Sequence, residues 1–136
     1  MAPTKKPCPR TDGPSDALIA DVFARGCASR QTLEDVASKW GILAMLALGE
    51  GDYRFNALRR RVDGVSEKML SQTLQSLERD GLVTREVHSA IPPRVEYSLT
   101  ALGSDVARRL RGLADVLEGS SVQLGQARAA YDARTA

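Results

Sequence analysis

Residues 66–100 read SEKMLSQTLQSLERDGLVTREVHSAIPPRVEYSLT, and this stretch decides the fold. Its first half has the period of a helix. Met69 or Leu70, then Leu74 and Leu77, recur at helical steps and give one apolar stripe. Ser66 is placed to cap that helix and Gly81 to stop it, so the expected span is 66–80. Lys68, Ser71, Gln72 and Gln75 fall on its polar face. The second half alternates. Val95, Tyr97 and Leu99 interleave with Arg94, Glu96 and Ser98, the period of a half-buried strand over 94–99. A partner strand is expected over 82–88, with 89–93 as the tip of the hairpin. A polar-faced helix followed at once by a basic-tipped hairpin suits duplex DNA. The helix fits the major groove, and the hairpin reaches an adjacent backbone or minor groove.

On the C-terminal side, Thr100 caps a last long helix. Leu102, Val106, Leu110, Leu113 and Leu117 fall at steps of three or four, and the pattern continues toward Leu124. Residues 126–136 are expected to fray. On the N-terminal side, Asp63-Gly64 is a turn signal. Before it a short helix is expected over 56–62, and Tyr53-Arg54-Phe55 reads either as a short strand or as the lead into that helix. A single helix is expected over 31–48, from Leu33, Val36, Ala37, Trp40, Leu43, Ala44 and Leu48. Gly41 inside it costs up to about 1 kcal/mol relative to Ala, and Gly49 and Gly51 end it. Ser15 or Asp16 is placed to cap a first helix carrying Leu18, Ile19, Val22 and Phe23, with Gly26 as its stop. Residues 1–14, with Pro3, Pro7, Pro9 and Pro14, read as a disordered tail.

The expected fold is mainly α with a small β-wing: a winged helix-turn-helix over 15–125, with flanking first and last helices for dimerisation. The last helix presents more apolar surface than a small wing domain can cover, and the first adds Leu18, Ile19, Val22 and Phe23. A two-fold dimer would bury both.

At 136 residues, 43% apolar and 26% charged, the chain has room for one domain with its own core. A net charge of +2 argues neither for nor against nucleic acid; the placement of charge decides. The longest apolar run, over 42–48, is too short to span a membrane. No signal sequence opens the chain, so a cytoplasmic protein without a membrane partner is expected. Two cysteines, Cys8 and Cys27, and one histidine, His88, are too few for a metal site or a disulfide framework. Both thiols are expected to be reduced and free in a cytosol. No grouping of nucleophile and base and no Gly-rich phosphate loop is visible. Neither an enzyme nor a cofactor is expected.

Gln pairs with adenine, Ser with base or phosphate, and Lys with guanine or phosphate. Arg59, Arg60 and Arg61, with Arg94 at the hairpin, would supply salt-sensitive backbone affinity. Each feature alone also reads as an ordinary solvated surface; joined to the hairpin, they favour DNA. Trp40, a large aromatic on an apolar stripe, reads as core packing. Lys39 suits either a phosphate or the covering of apolar surface by its stem.

Longer blocks carry a family resemblance. They are Ser38-Lys39-Trp40, Tyr53-Arg54-Phe55-Asn56-Ala57-Leu58-Arg59-Arg60 and Gly64-Val65-Ser66-Glu67-Lys68-Met69-Leu70-Ser71-Gln72-Thr73-Leu74. Leu77-Glu78-Arg79-Asp80-Gly81-Leu82-Val83, Pro92-Pro93-Arg94-Val95-Glu96-Tyr97-Ser98-Leu99-Thr100 and Leu102-Gly103 follow. Across residues 27–118 the chain resembles the HxlR-type regulators, a branch of the MarR-like winged helix-turn-helix proteins. The resemblance implies a homodimeric transcriptional regulator on a pseudo-palindromic DNA operator, with no catalysis. It implies a recognition helix bearing Ser66, Lys68, Met69, Ser71, Gln72 and Gln75, and a wing bearing Pro92, Pro93 and Arg94. Dimer contacts would come from the first and last helices, including Leu18, Val22, Phe23, Val106, Leu110, Leu113 and Leu117.

Many members of this family carry a Cys-Pro pair at a fixed distance before the Lys-Trp pair. Cys27 stands at that spacing from Lys39, but Ala28 replaces the proline. In some relatives a cysteine here senses oxidants or electrophiles, so the resemblance permits a redox switch at Cys27, with Cys8 as a resolving thiol. Arg25, Arg30 and a helix start near Ser29 would favour the thiolate. The plain alternative is an inert, partly buried thiol. Two other readings stay open. One is control by a small-molecule effector in the cleft between dimerising helices and wing domain. The other is a winged-helix adaptor that binds protein and not DNA.

Overall fold

The computed structural model describes residues 20–136. Its elements run α1 (Ala28–Ala37), α2 (Lys39–Glu50), β1 (Tyr53–Arg54), α3 (Phe55–Arg61), α4 (Glu67–Arg79), β2 (Val83–Ala90), β3 (Pro93–Leu99), α5 (Ala101–Gly119) and α6 (Ser121–Thr135). This is a winged helix-turn-helix, mainly α with a small antiparallel sheet in the order β1-β3-β2.

The pair α3–α4 forms where the sequence placed it. Ser66 Oγ accepts the Met69 N–H at 3.1 Å and starts α4. Gly81 N–H to Glu78 O and Leu82 N–H to Leu77 O, both 3.0 Å, close its other end. Leu70, Leu74 and Leu77 are buried and pack with Ala44, Met45 and Leu48 of α2, Leu58 of α3, and Leu82 and Tyr97. Each buried leucine contributes about 1.5–3 kcal/mol relative to exposure. The segment left open at Tyr53 is a two-residue strand, with Tyr53 opposite Tyr97 and Arg54 opposite Glu96. Both wing strands run further than expected, so the tip narrows to Ile91-Pro92. The register of β2 on β3 shifts between Val87 and Ser89.

At the far side of the wing, Thr100 caps α5 by accepting the Gly103 N–H at 3.0 Å, and its hydroxyl donates to Gly81 O at 2.6 Å. A Cβ on Gly103 would lie 1.9 Å from Leu82 O, so only glycine lets α5 dock this tightly on the link between α4 and β2.

Four expectations change. The single helix over 31–48 is two helices meeting at Ser38, whose backbone is extended (φ −65, ψ 158). Ser38 Oγ donates to Asp35 O at 2.7 Å and accepts from Gly41 N–H at 3.1 Å. A Cβ on Gly41 would sit 2.1 Å from Asp35 O. Gly41 is therefore what lets the corner close, rather than a weak point in a continuous helix.

The first helix is also absent from its described part. Residues 21–26 form turns: Ala24 N–H bonds Asp21 O at 3.0 Å, and Cys27 N–H bonds Ala24 O at 3.1 Å. Asp21 Oδ1 takes the Phe23 N–H at 3.0 Å, a local bond that competes with helix. Residues 1–19, with the expected tail, Cys8 and Leu18, lie outside the described residues.

The residues expected to fray at the C-terminus are helical, as α6. No residue of α6 is buried.

Finally, Cys27 is disulfide-bonded rather than a free thiol. Cysteine count bears on frameworks of several bridges, and says little about a single one. Among the described residues, no helix is long and apolar enough to cross a membrane.

Candidate nucleic-acid interface

With Leu70, Leu74 and Leu77 turned inward, helical geometry puts Lys68, Gln72, Gln75 and Arg79 along the opposite line of α4. All four are exposed. The other residues expected on this surface flank that row. Ser66 is occupied as the cap. Ser71 is half-buried and faces β2, where it lines a hollow with Gln75, Glu78 and Arg85. Met69, 40% exposed, lies on the other flank, beside Asp35 and Ser38 of the α1–α2 corner. Arg79 was missed by the sequence reading. Its signal was helical phase, carried one turn beyond Gln75.

Two groups of arginines stand out, apart from Arg25, Arg128 and Arg134, the last of which lies over the Tyr131 ring. Arg30, Arg61, Arg108, Arg109 and Arg111 are engaged by carboxylates: Glu34, Glu50, Asp105 (twice), and Asp115 with Glu118. Arg54, Arg59, Arg60, Arg79, Arg85 and Arg94 are exposed and form no ion pair or hydrogen bond among the described residues. An unpaired guanidinium keeps its full charge for a phosphate. Arg60 and Pro93 share a hollow of about 490 Å³ with Arg54 and Asn56. Arg94 shares one of about 200 Å³ with Arg54 and His88. Arg54 thus joins α3 to the wing, a role hidden in sequence because β1 is so short. His88 Nε2 lies 2.8 Å from Glu96 Oε2 and 3.5 Å from Glu86 Oε2, on the outer side of the wing.

Other candidates sit apart. Lys39 Nζ lies 4.7 Å from the centroid of the Trp40 ring, and Trp40 packs partly buried on the core. The contact is a cation–π one, and the exposed ammonium is open to a phosphate as well. At the end of α4, Thr32 Oγ1 donates to Asp80 Oδ1 at 3.3 Å, tying α1 to α4. Burial first, and the neighbouring Asp35 carboxyl second, push Asp80 up to about 6. Cys27 is buried at the start of α1, and Arg30 beside it is spent on Glu34 and on Phe23 O.

Of the expected dimer residues, Val22, Phe23, Leu113 and Leu117 are exposed, whereas Val106 and Leu110 pack partly buried on the chain's own core. Val116 and Val122 are exposed too.

A family model described as HxlR-like helix-turn-helix matches residues 35–122. The chain belongs to the HxlR-like helix-turn-helix family. It is similar to the uncharacterized HTH-type transcriptional regulator YtfH of Escherichia coli (strain K12), 51% identical over 98 residues that cover 72% of this chain and 78% of YtfH. A solved structure of ytfH from Salmonella typhimurium matches with a TM-score of 0.73 at 47% identity, covering 80% of this chain and 97% of that one. The redox regulator HypR in its reduced form matches with a TM-score of 0.65 at 34% identity, over 70% of this chain and 94% of HypR. As an HxlR-like protein, the chain is a DNA-binding transcriptional regulator of the helix-turn-helix type. In this HxlR-like fold, the exposed row of α4 and the unpaired arginines of α3, β1 and the wing lie on the elements that define the motif.

Proposed function

We propose that this HxlR-like regulator binds a pseudo-palindromic operator as a homodimer, with Lys68, Gln72, Gln75 and Arg79 reading the major groove. The observation that carries this is the outward row of α4, beside arginines that no carboxylate neutralises. Gln72 and Gln75 suit adenine, and Lys68 and Arg79 suit guanine or phosphate. Arg94 and Pro93 serve the adjacent minor groove or backbone, and Arg59 and Arg60 serve phosphates. Dimerisation is supported by α5 and α6. Leu113, Val116, Leu117, Val122 and Tyr131 are exposed, and no α6 residue is buried. An isolated helix of this length is marginal in water, so a second copy is its natural support. A two-fold pair would set the recognition helices about 34 Å apart, one DNA turn.

Control by the thiol at Cys27 deepens this reading. It is supported by the disulfide at Cys27 and by the likeness to HypR, which is described as a redox regulator. Two thiols would become one disulfide, passing two electrons and two protons to an oxidant such as diamide. A small-molecule effector is the second reading. It is favoured by a hollow of about 480 Å³ between the end of α2 and α5, lined by Leu46, Leu48, Leu99, Ala107, Arg108 and Arg111.

Equilibrium binding to duplex DNA tests the whole. Affinity should fall steeply as salt rises. Failure to retain duplex even at low salt would favour the adaptor reading. Starting from reduced protein, diamide should change DNA affinity in wild type and not in Cys27→Ser. Equal responses would remove Cys27 from the mechanism.

A further inference from the structure

A module that sets a helix in the major groove and a hairpin tip in the neighbouring minor groove must straddle one sugar-phosphate backbone, because that backbone separates the two grooves. Here the surface between those parts is the hollow of about 390 Å³ between α4 and β2. Leu74 and Tyr97 line it, Ser71 and Gln75 come from the helix side, and Arg85 comes from the strand side. Arg85 stands opposite Tyr97 in the β2–β3 register, so it shares the sheet face that packs toward the helices. A strand residue on that face is ordinarily apolar. Arg85 is instead exposed and forms no ion pair or hydrogen bond among the described residues. Glu78 lines the same hollow, one helical turn past Gln75, and it repels an anion from that end. The favourable place for a negative group is therefore toward Ser71.

Resting on the DNA reading above, we propose that this hollow seats one backbone phosphate of the duplex, held by the Arg85 guanidinium and the Ser71 hydroxyl. Arg85 then fixes the register of α4 in the major groove without reading a base. Ser71 becomes a backbone contact, and base choice falls to the outer row Lys68, Gln72, Gln75 and Arg79.

The test compares wild type, Arg85→Gln, Arg85→Lys and Lys68→Ala, each checked for folding by circular dichroism. Binding is measured on operator and on random duplex across a salt series. Arg85→Gln should weaken both duplexes by a similar factor, roughly tenfold, and lower the salt slope by about 2, one lost contact for each protomer of the dimer. Arg85→Lys should keep the slope. A scan of single neutral methylphosphonates through the operator should find one position in each half-site that weakens wild type and leaves Arg85→Gln unaffected. Wild-type affinity and slope in Arg85→Gln would overturn the seat, as would a changed base preference. If Lys68→Ala weakens binding while Arg85→Gln does not, the seat falls and the DNA reading stands. If wild type retains no duplex at low salt, both fall.

Discussion

Arg61 donates to both carboxylate oxygens of Glu50, Nε to Oε1 at 2.8 Å and Nη2 to Oε2 at 2.6 Å. Tyr53 Oη donates to Glu50 Oε1 at 3.0 Å. The group joins the end of α3 to the end of α2 and β1, and so helps to aim the helix-turn-helix. It also withdraws one arginine of three consecutive ones from the surface proposed to face DNA.

The three arginines should therefore behave differently. Arg59→Ala and Arg60→Ala are each expected to lower the salt slope of DNA binding by about 2, one lost phosphate contact for each protomer of the dimer. Arg61→Ala should leave the slope unchanged. Fluorescence anisotropy over a salt series separates these outcomes. A lowered slope in Arg61→Ala would mean that Glu50 releases Arg61 on binding.

Two carboxyls move in opposite directions with pH. Hydrogen bonds from Arg61, then Tyr53, hold Glu50 down at about 2. A depressed carboxyl stabilises the fold above its ordinary range, and that contribution is lost as pH falls toward 2. Asp80 is pushed up from an ordinary 3.8 to about 6, by burial first and Asp35 second. Between those values the folded state holds the proton and the unfolded state does not. Stability from this group therefore falls as pH rises from about 4 to 6 and stays lower above. Asp80→Asn keeps the acceptor for Thr32 without the charge. It should raise Tm at pH 7.5, with a gain that shrinks toward pH 4. Thermal melts at the two pH values decide, and an equal gain at both would contradict the burial argument.

The dimer surface is tested by two leucines of α5 two helical turns apart. Leu117 is exposed, whereas Leu110 packs against the chain's own core. Leu117→Asp should give a folded monomer with weakened operator binding. Leu110→Asp should lower Tm by several degrees or unfold the domain, since a buried charge without a partner is costly. Light scattering with circular dichroism reads both. A monodisperse, folded dimer of Leu117→Asp would move the interface elsewhere.

What could be read in advance followed the strength of local signals. The helix α4, its cap Ser66 and the alternating strand β3 were legible because the period switches from helical to two at Gly81. The α1–α2 corner was hidden because Val36, Trp40, Leu43 and Ala44 keep helical spacing straight through the break. The clue was Ser38 placed three residues before Gly41, a capping distance inside an apolar stripe. Val22 and Phe23 have helical spacing too, but the bond that Phe23 N–H donates to the Asp21 carboxylate holds turns instead. At the site, the polar face of α4 was legible, while its exact phase was not. Placing the row through Lys68, Gln72, Gln75 and Arg79 needed the burial of Leu70, Leu74 and Leu77. The pairing of Arg61 and the setting of Arg85 were invisible, because each depends on an element distant in sequence.

The central claim is that the outward row of α4 reads base sequence. Selection of bound duplexes from a randomised library, by wild type and by Gln72→Ala, tests it most directly. Wild type should recover a two-fold symmetric site with half-sites about one turn apart. Gln72→Ala should recover the same site with preference relaxed at one position in each half, a change of about 1–3 kcal/mol at that base pair. Recovery of no preferred sequence by wild type, or an identical preference at every position in Gln72→Ala, would contradict the claim.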